Sequence, residues 1–242
     1  MHIVPTEQME TQPIGRRHKM KTSFRSALLG GALLLILSPP CLAARAYESY
    51  YDVLGSAAWF DGVRSTIDYR DTTVGTIGSA AWCGIDNFGT IETMRWIQGG
   101  WVKWRNAAAR VYWEYKDKDG TYARGYDQAP SASEAYEQIR NGDNVEWKHG
   151  PTVYKTEPWT KFSTIEFRKV QYGAEMLDSP SDHTPGKSAS KNNFAASMAR
   201  RAGAAFAFTG LATSVSSAES GNLEKYGAPD SGNFRTWDTR DN

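Results

Sequence analysis

The chain has 242 residues, with 28 Lys and Arg against 27 Asp and Glu, a formal charge of +1. Once an export segment is removed, roughly 200 residues remain to fold, which suits one domain, or one domain with a tail, and excludes two large ones. The balanced charge excludes a basic coat for nucleic acid or anionic lipid. The unusual component is aromatic: 9 Trp, 12 Tyr and 9 Phe, with eight of the nine tryptophans between Trp59 and Trp159.

The first element is an export signal over residues 1–43. Lys21 and Arg25 precede an apolar run from Ala27 to Leu37, then Ser38-Pro39-Pro40 and the small residues Ala43 and Ala44, the order of a secretory signal peptide. Met20 is the natural start. The apolar run is shorter than the ~20 residues a membrane span needs, so no integral span is expected after signal removal. Pro40 before Cys41 argues against lipidation of that cysteine. Cleavage near Ala43 leaves Cys83 as the mature chain's one cysteine, a small buried residue in a disulfide-free protein.

From Tyr50 to Tyr172, short alternating runs punctuated by Gly, Asp and Asn predict an antiparallel β domain, set over residues 47–176. Strands are expected over Ala80–Ile85, Thr93–Gln98, Trp101–Trp104, Arg110–Lys116, Thr152–Thr156 and Ser163–Val170. Gly99-Gly100 reads as a hairpin turn, Asp117-Lys118-Asp119-Gly120 as a tight turn, and Asn141-Gly142-Asp143 as another. Residues 131–140 have the content of one or two helical turns. Residues 177–242 read as a linker, an Ala-rich helix within Phe194–Val215 weakened by Gly203 and Gly210, and a loose polar end.

Alternation sorts side chains onto two strand faces, so Tyr112, Glu114 and Lys116 share one face of their strand. Trp82 and Asp86 share one of theirs, and Met94, Trp96 and Gln98 another. Rings beside carboxylates and an amide suit a groove for an extended polymer: rings stack, and polar groups orient. A ring-filled sandwich core is the competing account of any single tryptophan.

Trp82-Cys83-Gly84-Ile85-Asp86, then Gly89-Thr90, Ile97-Gln98-Gly99-Gly100 and Tyr112-Trp113-Glu114-Tyr115 occur in an order that resembles the eqolisins, the glutamic peptidases. Ile139-Arg140-Asn141-Gly142-Asp143-Asn144-Val145 is similar to that family's next turn and strand. The resemblance covers roughly residues 80–172 and implies a secreted jelly-roll or concanavalin-like all-β sandwich of two antiparallel sheets. It further implies a cleft lined by Trp82, Asp86, Tyr112 and Glu114, with Gln98 as the amide of a glutamine–glutamate catalytic pair. In such a pair a glutamate activates water as general base while the amide donates to the developing oxyanion, at acid pH.

The partner carboxylate is open. The family places it in an A-E-W-type strand; Glu146-Trp147 matches the dipeptide, whereas keeping the Asn141-Gly142-Asp143 match points to the neighbourhood of Val153 and Glu157. The implied functions are a secreted, extracellular or periplasmic protein that binds peptide or polysaccharide without cutting it, or an acid endopeptidase using Gln98 with Glu146 or Glu157. No cofactor, metal or nucleic-acid partner is expected, and the chain is expected to be a monomer. His149 and His183 are the only mature histidines, beside one cysteine, so a Cys–His dyad or a histidine zinc site would have to be assembled from unrelated loops. Asp117, Asp119 and Gly120 lack the twelfth-position glutamate of a calcium loop. Glu114 with Glu166 as a glycosidase pair has no support from spacing.

Overall fold

The computed structural model describes residues 44–52, 59–90, 92–177, 181–208, 211–218, 223–226 and 232–241, the strands 44–52, 212–218 and 223–226 by their backbone alone. They belong to one compact unit, Pro39–Asn242. The export segment expected over residues 1–43 lies outside the described residues.

The architecture is all-β, in two sheets. Sheet one has seven strands in the order β14 (Leu211–Ala218), β1 (Ala44–Asp52), β10 (Lys169–Met176), β3 (Gly78–Asp86), β4 (Trp96–Trp104), β5 (Arg110–Lys116) and β6 (Tyr122–Tyr126). Sheet two runs β15 (Leu223–Tyr226), β16 (Phe234–Asp238), β11 (Gly186–Lys187), β12 (Ser190–Arg201), β2 (Phe60–Asp68), β7 (Ser133–Asn141), β8 (Asn144–His149) and β9 (Thr152–Pro158), with β13 (Phe206–Ala207) beside β12. The described pairings are antiparallel except the single parallel bridge between β11 and β16.

Alternation builds the core between the sheets. Ala81, Cys83 and Ile85 of β3, Ile97 and Trp101 of β4, and Val111 and Tyr115 of β5 meet Val63, Ile67, Tyr136, Val145, Trp147 and Phe194 from sheet two. Trp101 and Trp147 are the bulkiest of the fully buried side chains. Part of the aromatic excess is therefore core. The thiol of Cys83 is pushed up by burial, and its Sγ contacts Gln138 Oε1 at 3.3 Å, so it serves as a small packed residue.

Four local expectations are corrected. Gly99-Gly100 is no turn: β4 runs straight through it. A Cβ on Gly100 would lie 2.1 Å from the Ala81 carbonyl oxygen, and one on Gly99 would lie 2.6 Å from Gln138 Nε2, so these glycines permit close approach within a strand. Residues 133–141 form β7, because Tyr136 and Gln138 alternate into the interior with period two. The helix expected within Phe194–Val215 is not formed: its first part belongs to β12 (Ser190–Arg201), where Asn192 and Phe194 point inward and a bulge at Ala196 (φ 49°) shifts the inward set to Ser197 and Ala199. The strand expected over Ser163–Val170 begins only at Lys169, after a 3₁₀ turn at Trp159–Lys161 and buried Phe162, Ile165 and Phe167.

The other turns form where expected. Gly120 (φ 83°) closes a turn in which its N–H donates to the Asp117 carbonyl at 3.0 Å, and Gly142 (φ 58°) lies in the tight turn between β7 and β8. Both sites need the left-handed conformation that glycine adopts without steric cost.

Candidate functional site

The face of sheet one turned away from the core gathers Trp82, Asp86, Gln98, Tyr112 and Glu114, because each sits at an even position of a strand whose odd positions enter the core. The register sets them in rows across the strands. One row runs Gln171, Gly84, Gln98, Glu114, Arg124, and the next runs Lys169, Asp86, Trp96, Lys116, Tyr122. A pocket of about 180 Å³ opens between them, with Gly84 on its floor and Trp82, Asp86, Gln98, Glu114, Gln171 and Glu175 among its walls.

Gln98 Nε2 donates to the Tyr112 hydroxyl at 2.7 Å. Burial first, and then the charge of Glu114, push that hydroxyl well above the ordinary tyrosine value. Tyr112 therefore stays neutral and fixes the Gln98 amide in place. Glu114 stands directly opposite Gln98, but its Oε2 accepts from Tyr122 Oη at 3.0 Å, from Arg124 Nε at 2.7 Å and from Arg124 Nη2 at 2.6 Å. Glu114 is only 7% exposed. Burial works against the charge of Arg124, but Glu114 outweighs it and holds the guanidinium charged. Asp86 pairs with Lys169 at 3.0 Å, and its Oδ1 accepts the Phe88 N–H at 2.8 Å.

Trp82 is 3% exposed and packs with Ala80, Val102 and Tyr112 in a small second cluster on this face, with Trp104 against it. The indole N–H groups of Trp82, Trp96 and Trp104 are shielded from solvent and meet no acceptor.

The two carboxylates proposed from sequence lie in sheet two, away from Gln98. Glu146 on β8 accepts from Asn141 Nδ2 at 2.9 Å and pairs with Lys148 at 3.2 Å. Glu157 on β9 pairs with Lys155 at 2.7 Å and Lys161 at 2.6 Å, and accepts from the Tyr115 hydroxyl at 3.2 Å. Burial raises its carboxyl, yet the two lysines outweigh this and leave it below the ordinary glutamate value.

Sequence reasoning missed Gln171 and Glu175 of β10, which flanks β3 on the side opposite β4. The available signal was the alternation of Val170, Tyr172, Ala174 and Met176 with Gln171, Gly173 and Glu175, together with the Ala174-Glu175 dipeptide, which matches the first two letters of the A-E-W pattern. Glu175 lies four residues from Gln171, so at ~3.3 Å rise per residue it stands about 13 Å along the strand from the Gln98 row.

The two histidines serve separate corners. His149 is buried, its Nε2 2.9 Å from Asp127 Oδ2 and its Nδ1 3.2 Å from Glu134 Oε1, while His183 Nδ1 meets Asp241 at 2.8 Å. A larger depression of about 790 Å³ touches the cleft face only through Trp104. Of the cations that line it, Arg70 and Lys103 are paired with Asp68 and Asp71.

Among solved structures, the chain is similar to scytalido-glutamic peptidase bound to a transition-state analog inhibitor. The TM-score is 0.56 at 11% identity, over 82% of this chain and 99% of that one. The chain has an eqolisin-like fold. A second complex of the same peptidase, with a peptide-based transition-state analog, gives a TM-score of 0.53 at 10% identity over the same shares. SCP-B, a member of the eqolisin family in complex with the tripeptide Ala-Ile-His, gives 0.49 at 9% identity. No family model and no curated protein matches the sequence. The eqolisin-like likeness is one of fold, and the chemistry must be argued from this chain's own rows.

Proposed function

We propose that this is a secreted binding protein that holds an extended polymer across the outer face of sheet one and does not cleave peptide bonds. The observation that carries the reading is the register of β10, β3 and β4. In the row of Gln98, the position across the Gly84 floor is Gln171, an amide that at neutral or acid pH neither takes a proton from water nor gives one back. Strands two apart are separated by ~9.6 Å, a span that two long side chains bridge around one bound water. A carboxylate at that position would complete a glutamine–glutamate pair.

The acid on the other side of Gln98 has another use. Glu114 is held by Arg124 and Tyr122 on one oxygen, in the geometry of a structural ion pair. Glu146 and Glu157 are engaged by lysines of sheet two. A second reading, an acid endopeptidase using Gln98 with Glu175, has in its favour that both line one pocket. The charge of Glu175 also bears on the Tyr112 hydroxyl to which Gln98 donates, although its backbone stands about 13 Å along the strand from the Gln98 row, so a shared water would require the two side chains to converge over Tyr112.

The test is incubation of the full chain with denatured casein from pH 2 to 5, beside Gln98→Ala. The expected result is no release of acid-soluble peptide by either protein. Release by the wild type that disappears in Gln98→Ala would overturn the reading in favour of the endopeptidase.

A further inference from the structure

We infer that the polymer held on this face is a neutral polysaccharide. The inference rests on the reading of the outer face of sheet one as a binding cleft and names the class of its ligand. Among the described residues, three aromatic side chains are strongly exposed: Phe88 at 64%, Tyr122 at 48% and Tyr126 at 46%. All three belong to this face or its rim. Tyr122 and Tyr126 project from the edge strand β6, and Phe88 follows β3, with the outer-face Lys169 ammonium 5.6 Å from its ring. Exposed rings gathered in one place mark an interaction surface, because each costs free energy against water.

The second observation is backbone strain. Phe88 has φ 59°, the left-handed region that bulky side chains rarely adopt. The turn is imposed by its neighbours: Asp86 Oδ1 accepts the Phe88 N–H at 2.8 Å, and Asn87 Oδ1 accepts from Arg95 N at 2.9 Å and Gly89 N at 3.3 Å. The fold thus holds an aromatic ring outward at a position where glycine would be relaxed. Strain retained at an exposed ring points to use.

The polar groups define the ligand's charge. Asp86 is paired with Lys169 and Glu114 with Arg124, and Glu175 of the pocket wall and Lys116 of the second row add one charge of each sign, so these six charged groups sum to zero beside two glutamine amides. A charged polymer would meet no net opposite charge there. Trp96, opposite Asp86 in its row, brings its ring centroid to 6.1 Å from that of Tyr122 and extends the ring surface. Sugar units suit such a surface: their C–H faces stack on rings. An extended peptide brings no flat apolar face at each unit.

The test is affinity electrophoresis of the full chain through gels holding a soluble β-glucan, a galactomannan, a xylan, polygalacturonate or casein fragments. Retardation is expected by at least one of the three neutral polysaccharides, unchanged when salt is raised from 20 to 300 mM. Affinity should fall at least ten-fold in Phe88→Ala/Tyr126→Ala and hold in Val153→Ala, which removes an exposed apolar side chain from sheet two. Retardation by casein fragments alone, or by polygalacturonate alone, overturns the neutral-sugar assignment and leaves the cleft standing. Retardation by a neutral polysaccharide that survives the double substitution moves the site elsewhere and overturns it too. No retardation in any gel overturns both.

Discussion

Arg124 donates to a single oxygen of Glu114 twice, from Nε at 2.7 Å and from Nη2 at 2.6 Å, while its guanidinium lies 5.2 Å from the Trp104 ring and 5.5 Å from the Tyr122 ring. Sequence alternation put Glu114 on the cleft face, and the edge strand β6 supplied the cation that occupies it. Removing one partner of a largely buried pair strands the other without its counter-charge. Arg124→Met is expected to cost about 2 kcal/mol, because Glu114 then loses two of its three donors. Urea unfolding followed by tryptophan fluorescence checks this, and a loss under 0.5 kcal/mol would show that solvent replaces the arginine.

Gly100 stands where β4 passes closest to β3. A methyl group there would meet the Ala81 carbonyl oxygen at 2.1 Å and the Trp82 Cα at 2.7 Å, both backbone atoms that cannot rotate away. Gly100→Ala is expected to destabilise the protein by about 1–3 kcal/mol, the usual cost of overpacking, and to disturb Tyr112 and Trp82 on the cleft face. Gly142→Ala, where no atom lies within 4 Å but φ is 58°, should cost about 1 kcal/mol through backbone strain alone. Thermal unfolding of the two variants separates the causes, since only the Gly100 variant should also shift the near-ultraviolet tryptophan signal.

Stability should fall in acid, and Asp238 makes part of this measurable. Burial raises its carboxyl, but the hydrogen bonds from Arg240 and from the Thr184 N–H outweigh that and bring it below the ordinary aspartate value. A carboxyl depressed in the folded state adds stability above its unfolded value of ~3.9, and the contribution disappears as pH falls through the folded value. Glu157 acts in the same direction. Between pH 6 and pH 2.5 the wild type should lose more Tm than Asp238→Asn does, with the gap closing below about pH 4. A constant gap would remove the linkage.

How much was legible in the sequence follows from which contacts are local. Period-two alternation marked β3, β5 and β9, and with them the shared face of Trp82, Asp86, Tyr112 and Glu114, since each strand carries its own pattern. Gln98 was found through Ile97-Gln98-Gly99-Gly100 even though the glycines were read as a turn. A glycine's role as a close-approach point depends on the neighbouring strand, which its own segment does not reveal. The helix expected within Phe194–Val215 failed for a similar reason: alanine-rich composition favours helix locally, while pairing of β12 with β2 and β16 decides the outcome. Gln171 and Glu175 were missed because β10 joins β3 across more than eighty residues of chain, and only the register says which side chain faces Gln98.

The central claim is that Gln171 occupies the place from which an acid would serve Gln98. Its most direct test is casein hydrolysis at pH 2–5 by the wild type, Gln171→Glu and Gln171→Glu/Gln98→Ala, each confirmed folded by its tryptophan emission. The account predicts no hydrolysis by the wild type, hydrolysis by Gln171→Glu, and its loss again in the double variant. Hydrolysis by the wild type that depends on Gln98, or a folded Gln171→Glu protein that stays inactive, would contradict it.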